Sequence, residues 1–422
     1  MRRLRDLARL GALMAAPLLC GAAAAQLLPP LPGPVGGVVR EVDRLGAGLT
    51  DGAPGTAAGA ARLAEERLDR LRGVVRAAPE VLEMTLLGPA VRGEIVAADP
   101  SPEALAAAHG AGFETARVEE IEGLGMRTVT LRAPRGLSLD KALERLRRVA
   151  PEGEFSANHL HLRSGAASAG AAGEARLAGS GAPGKLVVGI IDGGVAAHPA
   201  LPGSAEQKGF AQGAPVASAH GTAVASLLVG GAPMRAAAPG AHLLVADVYG
   251  HDPAGGSSTA IARALGWMAE RRVPVVGMSL VGPANPLVGK AVERAQARGV
   301  RIVAAVGNDG PAAPPAYPAS YPGVIAVTGV DGRNRPLPEA GRALRLDYSA
   351  PGAEMAAAAP GRRFLRVRGT SYAVPLVAGR LAVALARGGS LDAEAQDLGP
   401  KGPDGRFGRG LVCGACRTPL QK

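Results

Sequence analysis

The apolar positions along the chain follow two patterns, and the change between them divides it into two regions. From residue 91 to residue 162, short apolar runs and helical periods come in the order strand, helix, strand, strand, helix, strand. This βαββαβ order predicts a small α+β domain of the ferredoxin-like kind. From residue 185 to residue 412, strands that are apolar throughout alternate with helices. That alternation predicts an α/β domain whose mainly parallel sheet is covered by helices on both faces, giving three layers.

The individual elements can be placed from the same patterns. In the first region we predict strands at 91–97, 113–121, 126–131 and 154–162, and helices at 101–109 and 139–149. In the second region we predict strands at 185–192, 243–248, 273–280, 300–306 and 323–330, and helices that begin at His220, Ser258, Pro286 and Ser371.

Two segments differ in composition from these regions. Residues 26–90 begin rich in Pro and Gly and are predicted to be a flexible lead-in, with one amphipathic helix at 62–75. Residues 164–184 are mostly Gly, Ala and Ser. They are predicted to be an exposed linker, the kind of segment that peptidases cut.

Residues 1–25 have the pattern of a secretory signal peptide. Arginines at positions 2, 3 and 5 precede an apolar stretch too short to span a bilayer, and Ala23-Ala24-Ala25 offers a cleavage site. We therefore expect export by the Sec route to the periplasm or the medium, with an uncleaved anchor as the alternative. No later stretch reaches transmembrane length without charges, Pro or Gly, so no stable membrane span is expected after removal of the signal.

Charge and cysteine content narrow the possible partners. The net charge is +11, but the arginines are scattered and aromatic residues make up only 3% of the chain, so nucleic-acid binding is not expected. Of three cysteines, Cys20 would leave with the signal. Cys413 and Cys416, in a C-terminal tail of residues 413–422, suit a small disulfide loop better than half a zinc site, because no second Cys/His pair completes the ligands.

Four polar residues stand at ends of the predicted strands or starts of the predicted helices. Asp192 ends a buried strand, and His220 begins a helix, where its charged form is disfavoured. Asn308 follows another buried strand, and Ser371 lies in a Gly-Thr turn that leads into a helix. Taken singly, Asp192 and Asn308 could be turn residues and Ser371 a helix cap. Together they supply an acid, a base, an oxyanion donor and a nucleophile.

The sequence around these residues resembles the four signature blocks of the subtilisin-like serine peptidases, or subtilases, over about residues 185–412. The blocks are Asp192-Gly193-Gly194, His220-Gly221-Thr222, Gly307-Asn308-Asp309-Gly310 and Gly369-Thr370-Ser371-Tyr372-Ala373-Val374-Pro375. One position departs from the family pattern. Subtilases usually have Ser or Thr after the aspartate, whereas Gly193 stands here, so a hydroxyl that could support the carboxylate is absent.

The resemblance implies a three-layer subtilisin-like fold and a role for each residue. Ser371 would attack the peptide carbonyl, His220 would carry the proton, Asp192 would orient the imidazole, and Asn308 would stabilise the oxyanion. The walls of the substrate cleft would be Ser279, Leu280, Val281 and Gly282, with Ala305, Val306 and Gly307. These walls carry no acid, so we expect an apolar or broad side-chain preference in the main pocket. No cofactor is required and no metal ligands are assigned; calcium is left open.

The resemblance also gives the first region a role. Subtilases are often made with a propeptide of that shape, so residues 91–163 would act as an intramolecular inhibitor and chaperone, and autocleavage is expected between about residues 159 and 181. The predicted substrates are proteins or peptides. A catalytically idle binding or scaffolding protein is the main alternative. A serine hydrolase acting on esters is another, although such enzymes normally show G-x-S-x-G, which this chain lacks at Ser371.

Overall fold

The computed structural model describes residues 57–164, 173–174, 186–202 and 205–419. The predicted signal peptide, the first part of the lead-in and most of the linker lie outside the described residues. Residues 57–164 are called the N-terminal module below, and residues 186–419 the C-terminal domain.

The N-terminal module contains a five-stranded sheet with helices. Its elements are α1 (Ala57–Ala77), β1 (Leu82–Thr85), β2 (Gly88–Ala98), α2 (Pro102–Gly110), β3 (Glu114–Ile121), β4 (Met126–Arg132), α3 (Leu139–Val149), β5 (Phe155–His159) and β6 (Leu162–Arg163). Four strands run in the order β5, β2, β4, β3, all antiparallel. This is the ferredoxin-like arrangement, so the predicted α+β fold class of this region is confirmed.

The module buries both faces of its sheet. On one face, side chains of α3 such as Leu139 and Leu146 pack with Phe113 and Leu131 in a separate core. Apolar residues at i, i+3, i+4 and i+7 put one stripe of α3 against the sheet. The other side supplies Val96, Ala98, Ile121, Leu124 and Met126 to a core shared with the C-terminal domain.

Residues 57–90 differ from the flexible lead-in that was predicted for 26–90. The amphipathic helix extends over Ala57–Ala77, and β1 forms a hairpin with β2. Leu82 is buried against Val74, Val75 and Leu160, while Thr85 Oγ1 donates to the Gly88 carbonyl across the turn. A four-residue strand has too few alternating positions to be recognised by period alone, and its burial depends on residue 160, far along the chain.

The C-terminal domain is built on a seven-stranded sheet in which every pairing is parallel. A short strand of the preceding linker, β7 (Gly173–Glu174), pairs with β10 (Val216–Ala217) of this domain. The domain's own elements are β8 (Val187–Asp192), β9 (Ala205–Gly209), β10, α4 (Ala219–Val229), β11 (His242–Asp247), α5 (Ser258–Glu270), β12 (Val275–Met278), β13 (Leu280–Val281), α6 (Pro286–Ala297), β14 (Arg301–Ala305), β15 (Ile325–Val330), β16 (Tyr348–Pro351), β17 (Ala353–Ala359), β18 (Arg363–Arg368) and α7 (Ala373–Ala386). The sheet order is β16, β15, β14, β12, β8, β11, β9.

Two apolar cores on opposite faces of this sheet give the three layers. One contains Leu227 of α4 and Leu376 of α7, and the other contains Leu265 of α5 and Val292 of α6. Alternate side chains of each strand enter each core, as Ile190 and Ile191 of β8 do. The predicted three-layer α/β class is confirmed.

Several short strands were not predicted. They are β9, β10 and the run from β16 to β18. The segment Ala353–Ala359 is rich in alanine, which favours helices, yet it forms a hairpin with Arg363–Arg368. The amide of Ala358 has no helical acceptor and instead donates to Ser226 Oγ of α4. Tertiary packing therefore overrides local propensity in this segment.

Two further features concern the predicted tail and membrane span. Cys413 and Cys416 are joined by a disulfide. Among the described residues, none of the helices has both the length and the apolar character needed to cross a bilayer.

Candidate active site

Asp192 and His220 form a buried pair at the carboxyl edge of the parallel sheet. Asp192 is the last residue of β8, and His220 lies in the first turn of α4, which is capped by Ser218 Oγ accepting from the Gly221 amide. His220 Nδ1 is 2.9 Å from both carboxylate oxygens of Asp192. A carboxylate only accepts, so Nδ1 carries the proton. In the neutral ring, Nε2 is then a free acceptor, as a general base requires.

Ser371 lies in the single 3₁₀ turn Thr370–Tyr372 that enters α7. The turn is held by Thr370 Oγ1, which donates to the Gly307 carbonyl, and by Ser279 Oγ, which donates to the Ser371 carbonyl at 2.8 Å. The ring of Tyr372 contacts the His220 ring, with 5.4 Å between centroids. The Ser371 hydroxyl is buried and makes no hydrogen bond. It therefore does not cap its helix, which removes the alternative role considered from the sequence.

The orientation of the Asn308 side chain is fixed from one end. Its Oδ1 accepts from the Thr370 amide at 2.9 Å. An amide N–H can only donate, so the oxygen must face Thr370, and the Nδ2 group points elsewhere. That Nδ2 is buried and has no partner. Asn308 thus presents a free donor next to the turn that carries Ser371.

Three atoms of this site share an unusual property. His220 Nε2, Ser371 Oγ and Asn308 Nδ2 are all buried without a hydrogen-bond partner. Leaving such an atom unpaired costs about 1–3 kcal/mol, and native structures keep few of them. The base and the hydroxyl are not hydrogen-bonded to each other in this conformation. Such bonds commonly tighten only when substrate is attacked. A base, a hydroxyl and a free donor can together perform acyl transfer.

The two predicted walls of the substrate cleft also come together. Leu280 and Val281 form β13, and Gly282 exchanges hydrogen bonds with Tyr317. Val281 lies close to Gly307, which follows Ala305 and Val306 at the end of β14. Ser279 joins this wall to the Ser371 turn. The predicted wall residues therefore lie beside the turn that carries Ser371.

A segment of the chain itself occupies this cleft. β6 pairs antiparallel with β13, and Leu160 bridges to Ser257 on the opposite side. The His161 amide donates to the Gly256 carbonyl at 2.7 Å. Tyr249 donates its hydroxyl proton to the His161 carbonyl at 2.9 Å. Tyr249 was not predicted as a site residue, although it lies two residues beyond β11, at the same carboxyl edge where sites form.

Burial shifts the ionisation of groups in this cleft. Both ring nitrogens of His161 are buried without a partner, and burial lowers the pKa of His161 to about 3. Burial also lowers the pKa of His159 to about 4. For Tyr249, burial raises the pKa, so the phenol stays protonated at all ordinary pH values. The segment in the cleft is therefore uncharged at its two histidines near neutral pH.

Helix α1 of the N-terminal module contacts the loop next to Asn308. Arg67 Nε donates to Asp309 Oδ2 at 3.0 Å, and Arg70 pairs with the other oxygen of the same carboxylate. Leu63 packs against Gly310.

Within the described ranges, no three His, Cys, Asp or Glu side chains come together as a set of metal ligands.

An Asp–His pair beside an unpaired serine hydroxyl, on the carboxyl edge of a parallel three-layer sheet, is the arrangement of serine hydrolases. Residues 184–397, about half the chain, match the model of the subtilase family of peptidases. The chain belongs to that family.

Individual relatives agree with this assignment. The chain is 34% identical to subtilisin DY of Bacillus licheniformis over 142 residues, which cover 33% of this chain and 52% of that protein. It is 34% identical to subtilisin BL of Lederbergia lenta over 216 residues, which cover 49% of this chain and 77% of that protein. The fold resembles fervidolysin, a keratinolytic enzyme of Fervidobacterium pennivorans, with a TM-score of 0.60 at 19% identity over 76% of this chain and 60% of that one.

Proposed function

We propose that this protein is a serine endopeptidase in which Asp192, His220 and Ser371 act as the catalytic triad. The observation that carries the proposal is the set of three buried, unpaired atoms, His220 Nε2, Ser371 Oγ and Asn308 Nδ2. These three atoms are the base, the nucleophile and the oxyanion donor that acyl transfer needs. Family membership supports the same reaction.

The proposed reaction proceeds in two halves. Ser371 Oγ bonds to the peptide carbonyl carbon while its proton passes to His220 Nε2, and Asp192 stabilises the imidazolium that forms. Asn308 Nδ2 donates to the oxyanion. The proton then moves to the departing amine as the C–N bond breaks. In the second half, water gives its proton to His220 and its oxygen to the acyl carbon, and Ser371 recovers its proton as the carboxylic acid leaves.

We further propose that the N-terminal module inhibits this site until the chain cuts itself between about residues 159 and 181. The support is the position of β6, which fills the cleft along β13. β5 leads into the cleft and is held by the starts of two helices. Ser258 Oγ donates to the His159 carbonyl at 3.0 Å, and Asn285 Nδ2 donates to the Ala157 carbonyl at 3.0 Å.

The test compares the wild-type chain with Ser371→Ala. Wild-type protein is expected to process itself, to react with a fluorophosphonate at Ser371 and to digest casein. Ser371→Ala is expected to stay full length and unlabelled. Identical processing of both by N-terminal sequencing would contradict self-cleavage. Processed wild-type protein that neither labels nor digests casein would be an idle scaffold. Hydrolysis of esters without casein digestion would instead indicate an esterase.

Export is the remaining part of the proposed function. It rests on the signal-like residues 1–25 and is compatible with the disulfide between Cys413 and Cys416, since disulfides persist in oxidising compartments. Fractionation of expressing cells is the check. We expect processed protein in the periplasm or medium, and retention of all of it in the cytoplasm would contradict export.

A further inference from the structure

The register of the occupying segment identifies one peptide bond. Arg163 pairs with Leu280 and Leu162 with Val281. The next residue, Ser164, donates from both its amide and its hydroxyl to the Ser279 carbonyl, at 3.1 and 3.3 Å. Ser279 in turn donates its own hydroxyl proton to the Ser371 carbonyl. A single residue, Ser279, therefore connects Ser164 to the turn that carries Ser371, as expected of the residue just before a cleaved bond.

Arg163, one residue earlier, has a binding place of its own. Its guanidinium carbon lies 4.0 Å from the centroid of the Tyr249 ring, and its Nε lies 3.8 Å from Asp192 Oδ1. The Tyr249 ring is buried and its hydroxyl is bonded to the His161 carbonyl, so the aromatic face is fixed in position. A guanidinium stacks well on such a face and is also attracted by a nearby carboxylate.

The residue after Asp192 borders the position of the arginine. A Cβ on Gly193 would lie 2.7 Å from Arg163 Nη2 and 2.5 Å from Ser218 Oγ. Ser218 cannot move away without uncapping α4, the helix that carries His220. Gly193 is the position where this chain departs from the Ser or Thr usual in subtilases. The Arg163 guanidinium lies where a side chain at position 193 would begin.

From these contacts we propose that the peptidase selects arginine at the second residue before the cleaved bond, with Tyr249, Asp192 and Gly193 as the selecting residues. The first substrate of this kind is the chain's own Leu162-Arg163-Ser164 sequence, cut after Ser164. The proposal rests on the peptidase function proposed above. It agrees with main-pocket walls that carry no acid, because the arginine side chain is bound at a different position of the cleft.

The test uses wild-type enzyme that has been expressed as the full chain and has processed itself. Its substrates are quenched fluorescent peptides with the sequence of residues 158–168, carrying Arg, Lys, Gln or Ala at position 163. A stacked and ion-paired arginine should raise kcat/KM about tenfold or more over Ala, with Lys between them because it lacks the planar group. Mass spectrometry should place the cut after Ser164. A cut elsewhere, or equal kcat/KM for Arg and Ala, overturns the proposal.

Three enzyme variants test the selecting residues. Gly193→Ala should reduce kcat/KM for the Arg peptide at least tenfold more than for the Ala peptide, because the added Cβ occupies the guanidinium's space. Tyr249→Phe keeps the ring and should keep the preference for Arg, whereas Tyr249→Leu should lose most of it. Equal losses on both peptides would overturn the assignment. If Gly193→Ala does not fold, the comparison of the four peptides with wild-type enzyme still tests the preference for arginine.

These outcomes distinguish failure of the arginine preference from failure of the peptidase function on which it rests. An enzyme that digests casein and labels at Ser371 but does not distinguish Arg from Ala remains a peptidase without this specificity. A processed protein that digests neither casein nor any of the four peptides contradicts the peptidase function itself.

Discussion

Two asparagines show how differently the two regions of the molecule use buried polar groups. Asn158, in the N-terminal module, has both ends of its amide bonded. Its Nδ2 donates to Glu94 at 2.8 Å and contacts Thr259 Oγ1 at 3.3 Å, while its Oδ1 accepts from the Thr259 amide. Asn308, in the C-terminal domain, has only its oxygen bonded. The bonded amide of Asn158 holds the module in place, whereas the free Nδ2 of Asn308 remains available for chemistry.

The largest expected effect comes from exchanging Asn308 for Ala. Because its Nδ2 is the free donor, loss of the amide should lower kcat by about 10²- to 10³-fold, or about 3–4 kcal/mol of transition-state stabilisation. The magnitude is taken from subtilisin, in which such a donor has been removed. KM should change little, since the oxyanion exists only in the transition state. Steady-state kinetics on a single peptide provide the measurement.

Asn158→Ala is the matched control for this comparison. It leaves Glu94 and the Thr259 amide without a partner, so docking of the module should weaken by about 1–3 kcal/mol. The kcat of enzyme that has lost the module should equal that of wild type. The contrast between the two asparagines is refuted if Asn308→Ala leaves kcat unchanged.

The second prediction concerns a close backbone approach between the two regions. A Cβ on Gly123 would lie 2.0 Å from the Gly266 carbonyl oxygen of α5. A carbonyl cannot turn aside as a side chain can, so Gly123→Ala should weaken docking by about 1–3 kcal/mol. In a Ser371→Ala background, hydrogen exchange of residues 155–163 reports the docked state. Faster exchange is expected than in the parent.

Gly110→Ala serves as the control for this substitution. Gly110 lies at the end of α2 in the same module, and no atom comes within 4 Å of where its Cβ would be. Its exchange profile should match that of the parent. If both variants behave alike, the contact between Gly123 and Gly266 does not determine docking.

The sequence predicted the C-terminal domain better than the way the module docks on it. Apolar strands and helical periods predict the layers, and parallel strands bring Asp192, Asn308 and the cleft walls to one edge without knowledge of any distance. No local pattern indicates that Asn158 faces Thr259 or that Gly123 meets Gly266, because these contacts join residues more than 100 positions apart. The hairpin β17–β18 was missed for the same reason, since its alanines pack against α4.

The third prediction concerns pH. Exposed histidines titrate near 6.5, whereas the pKa of docked His161 is about 3 and that of docked His159 about 4. The undocked segment therefore binds more protons between these values. Docking should be strongest above pH 6.5 and weaken as pH falls towards 4, by up to about 1.4 kcal/mol per histidine for each pH unit.

Hydrogen exchange of residues 155–163 in the Ser371→Ala chain, corrected for intrinsic rates at pH 7.5 and 5.5, measures this effect. His161→Leu should remove about half of the pH dependence, and His159→Asn together with His161→Leu should remove most of it. An undiminished pH dependence in the double variant would mean that other groups are responsible.

The smallest expected effect is at the ion pair on the rim of the contact. Asp99 Oδ2 lies 2.9 Å from Arg294 Nη2 and 3.9 Å from Lys290 Nζ, and all three side chains are about one-third exposed. Solvent screens such a pair, so Asp99→Asn should weaken docking by less than about 1 kcal/mol. Because Asn keeps the oxygen that accepts from the Arg127 amide and tolerates the positive φ of 46° at this position, the change removes the charge and little else. The effect should disappear in 1 M salt.

Glu103→Gln, on the exposed start of α2, is the control and should have no effect at either salt concentration. A loss in Asp99→Asn that persists at high salt would show that hydrogen-bond geometry at the rim, rather than charge, holds this edge of the module.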